Sequence, residues 1–175
     1  MNPIEQQLKG GHPNSLGNTV AVVEKVLSDN SLFDLLFNCY FSSDEVVRLR
    51  TSNAMKRIAK ENKSLLTPYI DRFLTEIASI QQASTQWTLA QLFDMLEKEM
   101  SQEQKEQARV ILANNLEHHT DWIVLNQTMA TLGKWAKKDL KLKAWIIPHL
   151  ERLSLDERKS VSNRARKMLL LLKHK

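Results

Sequence analysis

The chain has 175 residues, 42% of them hydrophobic, which is enough for one domain with a sizeable core. Glycine and proline number only four each, which disfavours a strand-and-turn fold, and no run approaches the roughly 18 apolar residues of a membrane span. The single Cys39 excludes an internal disulfide and suits a reducing compartment, so the expected location is the cytoplasm.

The net charge of +5 is uneven: residues 1–80 carry nine basic and nine acidic side chains, whereas residues 121–175 carry thirteen against five. A basic C-terminal third suits nucleic acid, an acidic protein or a solvated lysine-rich surface.

Residues 1–14 are polar, contain Gly10-Gly11 and two prolines, and read as a flexible tail. Residues 15–175 read as a single repeat domain. A helix predicted near 16–28 has Leu16, Val20, Val23 and Leu27 as its apolar stripe and would cap the first repeat. Four helix pairs follow, at 31–41 with 44–61, 64–80 with 84–98, 102–117 with 121–137, and 140–153 with 156–173. Ser42-x-x-Glu45, Ser101-x-x-Gln104 and Ser154-x-x-Glu157 have capping-box spacing at helix starts. Cys39 lies in the apolar run from Leu35 to Phe41 and reads as a buried, inert thiol.

The second helices share a register. With Val47, Thr85, Val124 and Val161 as anchors, the spacings are 38, 39 and 37 residues. Eight residues on come Met55, Phe93, Leu132 and Leu169; eleven on come Ile58, Leu96, Trp135 and Leu172. These offsets mark one face of a helix, repeated four times.

The stretch from Ser43 to Met55 (an acidic turn, Val47-Arg48, then small residues and a large apolar one) resembles the second helix of the HEAT repeat family. Pro148, in Trp145-Ile146-Ile147-Pro148-His149-Leu150, resembles its first-helix proline, and Pro68 is similar but displaced. The resemblance spans roughly 31–173. It implies an all-α, right-handed α-solenoid of about four HEAT-like helix pairs with an N-terminal capping helix, whose second helices line a concave face. The arginine after the anchor is present only as Arg48; Gln86, Leu125 and Ser162 stand in the later copies, so the family's arginine ladder is broken.

A partner would meet residues opposite the buried stripe. Offset 2 gives Leu49, Trp87 and Asn126, and offset 5 gives Ser52 and Met129. Offset 9 gives Lys56 and Asp94, and offset 13 gives the basic series Lys60, Lys98, Lys137 and His174. Lysines near helix C-termini also offset the helix dipole, so the series reads first as ordinary helix chemistry and second as a basic ladder. Arg48 completes the candidate set.

No glycine-rich phosphate loop or cysteine-rich zinc spacing is present. His118-His119 are adjacent, point about 100° apart on a helix and rarely chelate one ion. No cofactor, metal or catalytic residue is therefore expected. The reading is a non-catalytic interaction or scaffold module that binds a protein or peptide, with no membrane role. The alternative is a nucleic-acid-binding protein. Some alkylpurine DNA glycosylases use a similar solenoid, and Asp94, Trp87 and the lysines supply comparable ingredients without a matching motif.

Overall fold

The first helix forms because Asn2 and Pro3 start it. In the computed structural model, which describes residues 1–174, the Asn2 side chain accepts the amides of Ile4 and Glu5, and Pro3 begins α1 (Pro3–Leu8). Ile4 and Leu8, four apart, are fully buried. The expected tail is thus in part a packed helix. The sequence hides this because only two apolar residues anchor it, and the rest of its hold is polar.

That polar hold comes from Arg50, which is 2% exposed. Its guanidinium donates to four main-chain carbonyls of the N-terminal segment: Leu8 (2.7 Å), Gly10 (2.5 Å), His12 (3.2 Å) and Ser15 (3.3 Å). It forms no ion pair among the described residues. A buried charge must be hydrogen-bonded to be tolerated, and here carbonyl dipoles do what a carboxylate usually does.

The next helix, α2 (Thr19–Ser28), starts after Gly17, whose φ of +51° breaks the chain direction. Its buried stripe is Thr19, Val22, Val23 and Val26. The predicted stripe differs: Leu16 precedes the helix, and Leu16 and Val20 are exposed. The shift follows from α2 packing on both α1 and the next long helix, which rotates the buried face.

A short α3 (Phe33–Asn38) leads through a 3-10 turn at Cys39–Phe41 into α4 (Glu45–Glu61). Asp44, not Ser42, caps α4, accepting the Val46 amide at 2.8 Å. The Ser42 hydroxyl instead donates to Glu5 of α1 at 2.7 Å. Phe33, Phe37, Tyr40, Tyr69 and Phe73 form an aromatic cluster, mostly edge-to-face, with Arg72 over the Phe37 ring at 4.5 Å. Burial pushes the Cys39 thiol up to about 12, reinforced by Glu5 and opposed by its Asn2 hydrogen bond. At neutral pH it is a protonated packing group.

The predicted helix 64–80 is broken. Pro68 sits in a 3-10 turn, Thr67–Tyr69, where its missing amide is harmless, and α5 (Ile70–Arg72) runs into a π-helical segment at Phe73–Ile77. Then come α6 (Ala83–Met95), α7 (Gln102–His118), α8 (Trp122–Ala136), α9 (Leu140–Leu153) and α10 (Lys159–Lys173). Of the three capping boxes predicted, only Ser101–Gln104 closes both reciprocal bonds, at 2.9 and 3.1 Å. Ser154 bonds back to Glu151 at the end of α9, and α10 begins only at Lys159. Pro148 lies inside α9, as its spacing suggests.

The protein is all-α, with no strand among the described residues. Helix α2 packs on α4, α4 on α6, α6 on α8 and α8 on α10; α7 and α9 lie against α8, and α9 also against α10. Helix α4 is also packed by α1 and α3, and α8 by α7 and α9, while no residue of α6 is exposed. No helix among the described residues is long and apolar enough to cross a membrane.

Candidate partner-binding face

This packing leaves α4, α6 and α8 only a narrow accessible ridge. This decides the fate of the candidate residues. Met129 is fully buried, Ser52 is buried, and Asn126 is nearly so. The opposite-the-stripe rule assumes one packed face and fails for a helix packed on several sides. Gly133, at offset 9 of the third copy, faces Met168 of α10 and not solvent.

Arg48 is half-buried and already engaged. It donates to the Ser42 carbonyl and the Gln82 side chain, both at 2.6 Å. Gln86, one repeat later at the same register, does equivalent work: its amide donates to the carbonyls of Ala78 (3.0 Å) and Ile80 (2.9 Å). Position one after the anchor thus pins the intra-pair turn in both copies, although the residue type differs. Asn115 of α7 then donates to the Gln86 side-chain oxygen, Oε1, at 2.9 Å in the buried interior.

What remains on the ridge gathers into grooves between consecutive helices. Leu49 of α4 and Trp87 of α6 line one groove of about 230 Å³, with Val46, Ala83 and Pro13 beside them. Both were expected at offset 2, and the structure brings them together. Pro13 reaches this groove because Arg50 holds the preceding N-terminal loop. Asp94 does not line it; its carboxylate pairs with Lys134 of α8 at 2.9 and 3.0 Å.

A second groove, between α2 and α4, holds Lys56 and Lys60 together with Val20, Leu27, Glu24 and Glu61. Partial burial holds the Lys56 ammonium below the usual lysine range, and the neighbouring charges of Lys60 and Arg57 push it the same way. Lys98, in the 3-10 turn Glu97–Glu99, and Lys137, at the C-cap of α8, are exposed and form no ion pair among the described residues.

A third groove, of about 430 Å³, lies between α8 and α10. Its aromatic wall is Trp122, a residue the register did not single out because it sits at the helix start, two positions before the anchor. The signal available was an aromatic directly after the capping Asp121. At the junction of α7, α8 and α9 a smaller cleft, about 150 Å³, is lined by three acidic and three basic residues, among them Glu106 and Arg109, which pair with each other.

No group of three or more His, Cys, Asp or Glu side chains that could hold a metal ion exists among the described residues. His119 accepts the Asp121 amide at 3.1 Å and belongs to the turn. No protein-family model matches the chain, and no curated protein matches it.

Proposed function

We propose that the chain is a HEAT-like, right-handed α-solenoid that works without catalysis, binding a protein partner along the accessible ridge of its second helices. The observation that carries this reading is the meeting of Leu49 and Trp87 in one groove. An aromatic and an aliphatic anchor in a preformed groove make a hot spot. The rigid helix row lowers the ordering cost of binding. Asp94, the carboxylate that a base-excising enzyme would need, is neutralised by Lys134 and lies outside the Trp87 groove. A single, buried, protonated Cys39 suits the reducing cytoplasm.

The test is comparative capture from nuclease-treated extract with the wild-type chain and a Leu49→Ala/Trp87→Ala variant whose melting is checked first. A partner retained by the wild type and lost by the folded variant supports the reading. Identical captured sets from both would sink it. Arg48 is left unchanged in this design, because its bonds to Ser42 and Gln82 make it part of the fold.

A further inference from the structure

The groove between α8 and α10 has a chemistry unlike the rest of the ridge. Trp122 presents an indole that is 49% exposed. Arg164 and Lys167 face it from α10, and neither forms an ion pair among the described residues. Gln127, Asn163, Ile123, Ser160 and the buried Asn126 complete the lining, and no acidic residue contributes. The nearest carboxylate in sequence, Asp121, is turned onto the amides of Ile123 and Val124 at 2.8 and 3.0 Å. Helix α10 itself carries five basic residues and no acidic one.

We propose that this groove binds single-stranded nucleic acid. Trp122 supplies a face on which an unstacked base lies, Arg164 and Lys167 take the flanking phosphates, and the amides of the half-buried Gln127 and the exposed Asn163 offer hydrogen bonds to the base edge. Stacking on an exposed aromatic and charge on the backbone are the two elements of single-strand recognition. A duplex keeps its bases inside the stack and has none to offer the indole. An acidic peptide would satisfy the two cations but would leave the aromatic and amide walls without purpose. The site is separate from the Leu49–Trp87 groove, so the two readings stand or fall independently.

The experiment is fluorescence anisotropy of the full chain with labelled single strands of about twelve nucleotides, at about 50 and 200 mM salt. Binding is expected at the lower salt and is expected to weaken steeply at the higher. Trp122→Ala should weaken it about tenfold, within the range for loss of one stacked base. Arg164→Gln/Lys167→Gln should make the slope of log affinity against log salt shallower by about 1.4, the loss of two phosphate contacts on a single strand. Trp87→Ala should change neither.

Absence of binding at low salt overturns the proposal. So does binding that both groove variants leave unchanged, or a polyglutamate that competes as well as a matched strand, which would make the surface a generic anion sink. Should Trp122→Ala fail to fold, photo-crosslinking of the wild-type chain to a thiouracil-containing strand decides the matter. Adducts confined to Trp122–Gln127 or Ser160–Lys167 uphold the site, and adducts elsewhere remove it.

Discussion

Gly17 and Arg50 lie so close that a Cβ at Gly17 would stand 2.9 Å from the Arg50 guanidinium carbon and from Nη1. The glycine also has φ of +51°, so its position meets two demands that no other residue meets cheaply. One is the backbone direction at the start of α2. The other is the space taken by a buried side chain 33 residues away.

Replacing Gly17 by Ala should therefore destabilise the protein by about 1–3 kcal/mol, through positive φ and displacement of Arg50 together. Arg50→Ala should cost about 2–4 kcal/mol, because it removes charge-assisted bonds and leaves the carbonyls of Leu8 and Gly10 without that partner. Urea denaturation gives the free energies. Both variants should also expose residues 9–17 to limited proteolysis. If the N-terminal segment stays protected in Arg50→Ala, Arg50 is not what holds it.

The Gln86–Asn115 pair makes a second, buried polar link. Gln86 joins the turn after the π-helical segment to α7, using both ends of its amide. Gln86→Leu should cost about 2–4 kcal/mol, since it orphans the Asn115 donor and removes two bonds to carbonyls. Asn115→Leu should cost less, since it orphans only one acceptor. The double variant should be more stable than the sum of the two losses implies, with a coupling of about 1 kcal/mol or more. Strict additivity would show that the pair does not act as a unit.

The sequence carries the helix row plainly and its polar supports poorly. Offsets 8 and 11 from the anchor are large and apolar in every copy, and all but Trp135 are buried. That pattern is legible because repeated burial demands repeated apolarity. Arg50 is not legible, because a charged residue on a helix reads as surface until a folded segment brings carbonyls to it. At the candidate site Leu49 and Trp87 are legible from their shared offset, whereas Met129 and Ser52 are misplaced because the number of neighbours around a helix is a tertiary fact. Trp122 escapes the register altogether: a residue that starts a helix has no buried stripe to stand opposite.

Gly133 shows the same limit from the other side. It sits in α8 where α10 approaches, and a Cβ there would meet the Met168 sulfur at 2.7 Å. Alanine gains about 1 kcal/mol over glycine in a helix interior, so the contact opposes the propensity. Gly133→Ala should be destabilising in the wild-type chain and stabilising, by about 1 kcal/mol, when Met168 is already Ala. A sign that stays the same in both backgrounds would show that Met168 moves aside freely.

Acid should loosen the last pair of helices through Asp156. Arg158 holds the Asp156 carboxyl down at about 2, by side-chain and backbone hydrogen bonds, against an ordinary 3.8. The same guanidinium donates to the Thr120 carbonyl at 2.6 Å, so it ties the α9–α10 turn to the α7–α8 turn. With the folded value below the unfolded one, the unfolded chain takes up the proton first as pH falls. The stabilisation is complete well above 3.8, drains away as pH falls from there to about 2, and is absent below. The carboxylate is close to solvent, so salt should reduce the effect. Asp156→Asn should thus melt below the wild type at neutral pH, with the gap closing in that acid window. Melting temperatures of both chains measured across it test this. A gap that persists at the acid end of the window would mean that the substituted amide fails for reasons of shape and not of charge.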